Sequence, residues 1–387
     1  MKIAFFSCNC LMDPASGAAR SVRTILEMLA ARGHETRSIT GAMFDAPGYD
    51  DEALMLAKLG FEEGEDGRHQ LFHNGLQHQA TTTGAVQIGK ATADQLRQLT
   101  EEALTSLADF QPDILISYGA TIAECVVRAQ VSQRAVASVF YLANPNYKDP
   151  AHFADCHLVF TDSEATRLHY RDKLGLDPVV IGKFIHPIRR VDGETPRYVT
   201  FINPSFQKGV TLFYRIADMM QHQVPDAVFQ VVESRATLEQ IEARTRLPFS
   251  RLSNIRSIGV QTNMARIYSR TKVLLIPSLW HESGPRVGLE AMSLGIPIIG
   301  ANHSGLRENV ASGGILLAVP DKMRSEPRLI PPPRTALPWV AALEELLTDS
   351  KVYEKASAAA TAHWRAYLEQ DRVGKVEALL LNMLGRT

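Results

Sequence analysis

Glu282 and Glu290 stand eight positions apart in the stretch Pro277-Ser278-Leu279-Trp280-His281-Glu282-Ser283-Gly284-Pro285-Arg286-Val287-Gly288-Leu289-Glu290-Ala291-Met292. A lysine, Lys208, lies upstream in Asn203-Pro204-Ser205-Phe206-Gln207-Lys208-Gly209. A carboxylate can accept two hydrogen bonds from the vicinal hydroxyls of a ribose or hexose. An ammonium neutralises phosphate, and the amides at the start of a helix favour anions. These residue types together suit a ligand carrying both sugar and phosphate. By spacing alone two blander readings stand beside this one. Arg286 and Glu290 also form an i,i+4 pair of the kind that contributes about 0.2–0.5 kcal/mol on a helix surface, and Glu282 also fits a helix cap.

The elements needed to position these groups are legible around them. An apolar strand ends at Pro277 and a helix is expected from near Gly284, with Pro285 welcome at its first position because its missing N–H would be an orphan anyway. Gly295 ends that helix and Pro297 lies just beyond. Glu282 then falls in the loop at the carboxyl end of a parallel strand, where open α/β sheets bind ligands, and Glu290 about two turns into the helix.

The rest of the chain fits such a sheet. Ile3 to Ser7, a turn-rich stretch to Gly17, helical spacing through Val22, Ile25, Leu26 and Leu29, and a strand His34 to Thr40 make a strand–loop–helix–strand unit. Residues 45–80 are polar and carry His69, His73 and His78, and they read as an exposed helix–loop region facing a second substrate. The histidine spacing would suit a metal on a helix, but no carboxylate or cysteine matches it. A helix over 92–110, strands at Ile114–Ser117, Ala135–Leu142 and Leu158–Thr161, and a helix from Ser163 follow, with Ser163 as its N-cap. Residues 186–196 read as a linker. A second α/β series then runs to Gly300, a proline-rich loop spans 327–338, and helices are expected near 339–348 and 351–384.

Composition narrows the classes. Forty-one basic residues against 42 acidic ones give a net charge of −1, which removes the basic excess expected of a nucleic-acid binder. Four scattered cysteines, Cys8, Cys10, Cys125 and Cys156, do not make a disulfide scaffold and fit a reducing cytoplasm. The Cys8-x-Cys10 pair has no second pair at zinc-ligand spacing. No apolar run reaches the roughly 18 residues of a membrane span.

The run from Ser278 to Val310 resembles the signature of glycosyltransferase family 4, in the GT-B superfamily. Glu282 and Glu290 match its glutamate pair, followed by Glu290-Ala291-Met292, Gly295-Ile296-Pro297 and Gly305-Leu306-x-Glu308. Asn203-Pro204-x-x-x-Lys208-Gly209, Ile267-Tyr268 and Gly17-Ala18-Ala19-Arg20 fit it as well. The resemblance implies that Glu290 binds the nucleotide ribose and that Glu282 contacts the donor sugar and stabilises charge at the reacting centre. It implies that Lys208 neutralises the diphosphate, with amides near Arg286 and Val287 adding hydrogen bonds, and that transfer retains configuration without a divalent metal. Three departures stand out. Asn203 occupies the place of an arginine, a charge Arg286 is expected to replace; Gly284-Pro285 stands where a phenylalanine normally packs; and Asn144 stands near a usual histidine, where turn chemistry is an equal alternative. Gly17 and Ala18, with Asn144, are candidates for the donor site, the first two for close backbone approach to the diphosphate or acceptor, with ordinary strand-to-helix turn chemistry as an equal alternative for them.

The expected fold is α/β, two Rossmann-like doubly wound domains facing across a cleft in the GT-B manner. Residues 1–187 form the acceptor domain, 196–350 the nucleotide-sugar domain, and 351–387 a C-terminal helix crossing back to the first. The expected activity is transfer from a UDP- or GDP-sugar to an acceptor hydroxyl, with the nucleotide sugar as co-substrate and no cofactor or metal. The alternative is a catalytically silent nucleotide-sugar-binding scaffold on the same fold. The acceptor is a glycan, a lipid-linked glycan or a small molecule, with room for peripheral membrane contact. No nucleic-acid partner is expected, and the sequence does not set the oligomeric state.

Overall fold

The structure is a computed structural model that describes residues 1–45, 51–65, 67–119, 121–245, 247–261 and 263–386. It divides into two compact units: Met1–Phe184 with Asp371–Thr387, and Ile185–Gln370.

The first unit is built on β1 (Lys2–Asn9), α1 (Gly17–Ala31), β2 (Glu35–Met43), α2 (Glu52–Lys58), β3 (Glu62–Glu63), β4 (His69–His73), β5 (Leu76–Thr81), α3 (Ala93–Phe110), β6 (Ile114–Ser117), α4 (Ile122–Arg134), β7 (Ala137–Leu142), β8 (Leu158–Thr161), α5 (Glu164–Leu174) and β9 (Val179–Val180). Its sheet runs β3-β4-β5-β2-β1-β6-β7-β8-β9, with antiparallel pairing among β3, β4 and β5 and parallel pairing elsewhere. Strand β1 is almost wholly buried, so it reads as a continuous apolar run rather than an alternating one. Helix α3 begins with a capping box, Thr92 and Gln95 satisfying each other's backbone N–H groups.

The exposed helix–loop expected over 45–80 is corrected here for the described residues. After α2 the chain forms the β4–β5 hairpin and adds β5 to β2 in parallel. The hairpin turns at Asn74-Gly75, whose φ values of 48° and 79° are the positive pair a type I′ turn requires. Residues 46–50 of that stretch lie outside the described residues.

The second unit contains β10 (Tyr198–Ile202), α6 (Val210–Gln223), β11 (Val228–Val232), α7 (Leu238–Thr245), β12 (Ile255–Ile258), α8 (Met264–Arg270), β13 (Thr271–Ile276), α9 (Arg286–Met292), β14 (Ile298–Ala301), α10 (Ser304–Val310), β15 (Ile315–Leu317), α11 (Asp321–Ser325), α12 (Pro333–Thr348) and α13 (Ser350–Leu368). Its sheet is parallel throughout, in the order β12-β11-β10-β13-β14-β15. Strand order reverses between β10 and β13, so the loops after these two strands leave the same edge at the topological switch point. A core including Phe201, Phe213, Phe229, Tyr268 and Trp339 supports that edge from below.

Two C-terminal expectations change. Residues 333–338 are not loop: Pro333 sits in the first turn of α12, where its missing N–H costs nothing, and Pro338 is carried inside the helix because Trp339, Val340, Leu343 and Leu346 are buried behind it. The helix expected over 351–384 is two helices. Helix α13 buries Ala360, Trp364 and Tyr367 in the second unit, and α14 (Arg372–Met383) buries Val376 and Leu380 in the first. The return to the first unit therefore falls after Gln370 rather than at 351.

Candidate active site

The loops after β10 and β13 are fastened to each other by backbone. The amides of Leu279 and Trp280 both donate to the Gln207 carbonyl, at 2.8 and 3.0 Å. Gly209, at φ 82°, lies so close to the end of β13 that a Cβ there would stand 1.9 Å from the Pro277 carbonyl oxygen. Only glycine satisfies both the left-handed backbone and the contact. Gly209→Ala is therefore expected to destabilise the second unit by about 2–4 kcal/mol, combining strain and clash, and to displace Lys208. A thermal melt of the variant checks this; an unchanged midpoint would contradict it.

This seam places Lys208 against Glu282. The Lys208 ammonium donates to Glu282 Oε1, and the Ser278 hydroxyl donates to the same oxygen at 2.6 Å. Burial alone would raise the Glu282 carboxyl; the charge and hydrogen bond of Lys208, together with Ser278, outweigh it and hold the group below its ordinary value. A carboxyl depressed in the folded state adds stability above the ordinary carboxylate range and loses it as pH falls through the folded value. Stability of the wild-type protein is thus expected to decline on acidification partly through Glu282, and Glu282→Gln should flatten that decline in melts taken from neutral pH to pH 3.

Glu290 lies on α9, one turn in rather than two, because the helix starts at Arg286 with Pro285 as its N-cap residue. Its side chain is fully buried; Arg286 Nε donates to Oε1 at 3.2 Å and the Tyr268 hydroxyl to Oε2 at 2.8 Å. The surface-pair reading of Arg286 and Glu290 is thereby corrected, since both side chains are more than nine-tenths buried. Gly284 is buried and Val287 half-buried at the start of the same helix, where the first N–H groups have no partner within the helix.

Asn203 follows β10 on left-handed backbone, φ 62°. Its carboxamide makes no hydrogen bond among the described residues, and Oδ1 is buried. An unsatisfied amide at a switch point is expensive unless a ligand completes it.

The other sequence candidates lie in the first unit. Ser16 caps α1 by accepting from the Ala19 amide, while Gly17 is exposed and a Cβ on it would meet nothing within 4 Å, so the protein's own packing does not demand glycine there. Ala18 is half-buried beside it. Asn144 Oδ1 accepts from the Asn146 amide at 3.0 Å, an Asx turn, and its carbonyl accepts from the Tyr170 hydroxyl. Ser163 caps α5 through the Thr166 amide.

The histidines of 69–78 belong to strands, not a helix: His78 pairs with Ser38 and His73 with Glu27. Among the described residues no group of three or more His, Cys, Asp or Glu side chains is arranged to hold a metal ion. Burial pushes the Cys8 and Cys10 thiols up to about 11 and about 12, which keeps them protonated and unreactive at neutral pH. No helix among the described residues is long and apolar enough to cross a membrane.

Missed in the sequence were Ser278, His303 and Ser304, which line the same edge. The His303 ring contacts the Ser278 carbonyl and the Ser304 hydroxyl, and Ser304 accepts from the Glu282 amide.

Residues 197–349, the part of the chain that contains this seam, match the family model described as glycosyl transferases group 1. The fold of the whole chain is that of GT-B glycosyltransferases. Sucrose-phosphate synthase from Thermosynechococcus elongatus superposes with a TM-score of 0.70 at 16% identity, with 99% of each chain covered. HepE of Anabaena, in complex with UDP and glucose, superposes at 0.67 and 16% with both chains fully covered. The catalytic domain of starch synthase IV from Arabidopsis thaliana, bound to ADP and acarbose, gives 0.66 and 13%, covering 100% of this chain and 99% of that one. At such identities the likeness is one of fold. No curated protein matches at the level of sequence. The matched span contains every residue of the β10–β13 seam, from Asn203 to Glu290.

Proposed function

We propose that the chain transfers a sugar from a nucleoside diphosphate donor, UDP- or GDP-linked, to an acceptor hydroxyl, with retention at the anomeric carbon and without a divalent metal. The observation that carries this reading is the meeting of Lys208 and Glu282 at the switch point of the matched span. In the reaction the bond from the anomeric carbon to phosphate oxygen breaks and its electron pair passes to the diphosphate. The acceptor hydroxyl forms the new bond, and its proton passes to the departing diphosphate oxygen. Lys208 is the group that meets the growing charge on the diphosphate, the kind of preorganised contact that supplies the largest part of many rate enhancements. Glu282 accepts from a donor-sugar hydroxyl and, being ionised, stabilises positive charge at the sugar carbon.

Asn203 and Arg286 complete the proposed donor site, with the amides following Gly284-Pro285 at Arg286 and Val287. Asn203 brings an unbonded carboxamide in place of a guanidinium, and Arg286 brings a buried charge already committed through Nε to Glu290. The proposed role of Glu290 toward a ribose needs the carboxylate to come out of its contacts with Arg286 and Tyr268, so it is the role the ligand must open. The acceptor is assigned to the first unit, whose β1–β6 switch point carries Gly17 and Ala18; Asn144, on another loop of that unit, is committed to its turn.

The neutral side chain at Asn203 and the enclosed Glu290 favour, as the second reading, a nucleotide-sugar-binding scaffold without turnover. The two separate in one assay. Purified protein in excess chelator is given UDP- and GDP-sugars with candidate glycan acceptors, and release of nucleotide is followed with the anomeric configuration of the product. Product of retained configuration in chelator supports the proposal. Binding without nucleotide release from any donor would establish the scaffold instead.

A further inference from the structure

The Glu282 carboxylate is held by a closed circuit of hydrogen bonds drawn from two segments, the loop after β13 and the start of α10. The Glu282 amide donates to Ser304 Oγ at 3.1 Å. Ser304 Oγ lies 3.1 Å from His303 Nδ1, and His303 Nε2 lies 2.7 Å from the Ser278 carbonyl oxygen. The Ser278 hydroxyl returns to Glu282 Oε1 at 2.6 Å. Directions follow from the end groups. A carbonyl can only accept, so His303 carries its proton on Nε2; Nδ1 of the neutral ring then accepts from the Ser304 hydroxyl, whose oxygen accepts from Glu282. The Ser278 hydroxyl has a second acceptor in reach, the Gln207 carbonyl at 3.4 Å, but the shorter contact to a charged oxygen is the stronger.

We propose that Ser278, His303 and Ser304 are positioning residues that grip Glu282 by its backbone and by Oε1, leaving Oε2 for a hydroxyl of the donor sugar. The inference rests on the transferase reading and deepens it. Four observations support it. Oε2 has no hydrogen-bond partner among the described residues, while Oε1 has two. The Glu282 carbonyl is fixed as well, accepting from the Gly305 amide at 2.8 Å, and a Cβ on Gly305 would lie 2.0 Å from the Ser283 carbonyl oxygen, so the loop and the start of α10 are pressed together. Ser304 adopts φ 47°, a conformation that a non-glycine residue keeps only where its surroundings impose it. Ser278 is fully buried, so its hydroxyl has no water to exchange with.

The circuit explains how Glu282 stays in place when Lys208 is needed elsewhere. In the ligand-free protein Lys208 and Ser278 share Oε1. A bound diphosphate draws the ammonium toward itself, and Ser278 remains as the fixed donor that keeps the carboxylate ionised and aimed. The titratable groups facing Glu282 are Lys208 and His303, and those facing His303 are Arg324 and Asp321 as well as Glu282. Burial lowers His303 from its ordinary value, which keeps the ring neutral in the tautomer the circuit uses.

The test measures nucleotide release from UDP-glucose, UDP-N-acetylglucosamine, GDP-mannose and ADP-glucose by wild type, Ser278→Ala, His303→Ala, His303→Gln, the Ser278→Ala/His303→Ala pair and Glu282→Gln. With the donor that wild type uses, Ser278→Ala and His303→Ala should each lower kcat by about 10–100-fold, the scale of a small misplacement of a reacting group, with KM nearly unchanged. The acid limb of the kcat profile should move to higher pH in Ser278→Ala. His303→Gln, whose amide N–H can still reach the Ser278 carbonyl, should recover part of the loss, and the pair should be no worse than its weaker member. Unaltered kcat and pH profile in the Ser278 and His303 variants, with Glu282→Gln inactive, would overturn the positioning role and leave the transferase reading standing. Full activity of Glu282→Gln, or no release from any donor by wild type, would overturn the reading itself and the circuit's role with it.

Discussion

Lys208→Met is expected to lower sugar transfer by about 10²–10³-fold, the usual cost of removing one preorganised group from developing transition-state charge. The same change reverses the electrostatics of Glu282. In the wild type, Lys208 and Ser278 overcome the burial of the carboxyl and hold it low. Without the ammonium, burial dominates and the folded-state value rises above the unfolded one. Ionising Glu282 then costs stability at neutral pH instead of adding to it. The difference in melting temperature between wild type and variant should therefore be widest near pH 7 and narrow as the solution is made acid. Lys208 is part-exposed, so solvent screening keeps the neutral-pH loss at the low end of what a buried pair would show. A variant that melted like wild type at pH 7 and transferred sugar normally would remove Lys208 from both roles.

Glu290→Ala should be the most destabilising single change at the site. It removes the carboxylate that the 8% exposed Arg286 and the Tyr268 hydroxyl both donate to. Breaking a buried pair in this way costs about 3–5 kcal/mol, which for a unit of this size corresponds to roughly 6–20 °C in the midpoint of the second unit. Glu290→Gln, which also removes the charge but keeps the shape and an acceptor for Arg286, should lose less. Replacing both partners, with Arg286→Met and Glu290→Leu, should restore much of the stability, because a buried ion pair replaced whole by apolar side chains of similar volume costs little. Scanning calorimetry of the four proteins decides it; equal midpoints for Glu290→Ala and Glu290→Gln would contradict the account. A loss of nucleotide binding in Glu290→Ala carries no information about the ribose unless Glu290→Gln shows it too.

The second unit was legible in the sequence because its strands are short apolar runs ended by turn residues. Tyr198–Ile202 and Lys272–Ile276 read as strands, the second within one residue of β13, and Pro277, Gly295 and Pro297 punctuate the segment that matters. Lys208 and Glu282 were identifiable by type, but their contact was not. It depends on strand order, which places β10 beside β13 although 74 positions separate the two residues. Ser278, His303 and Ser304 gave no signal for the same reason: each is an ordinary turn residue until the fold closes the circuit. The 45–80 region failed differently. The Asn74-Gly75 dipeptide is a hairpin signal, but the spacing of His69, His73 and His78 also fits a helix. The burial of Glu290 had no local signature either, because Tyr268, which closes over it, comes from α8.

On the proposed function, the β10–β13 seam binds a nucleoside diphosphate through Lys208. Titration calorimetry of UDP and GDP into metal-free protein, wild type beside Lys208→Ala, tests it most directly. The account predicts that wild type binds one of the two in the presence of chelator and that Lys208→Ala binds it about 10–100-fold more weakly, the loss of one charge-assisted hydrogen bond. Equal affinity in the two proteins, or no binding of either nucleotide to wild type, would contradict it.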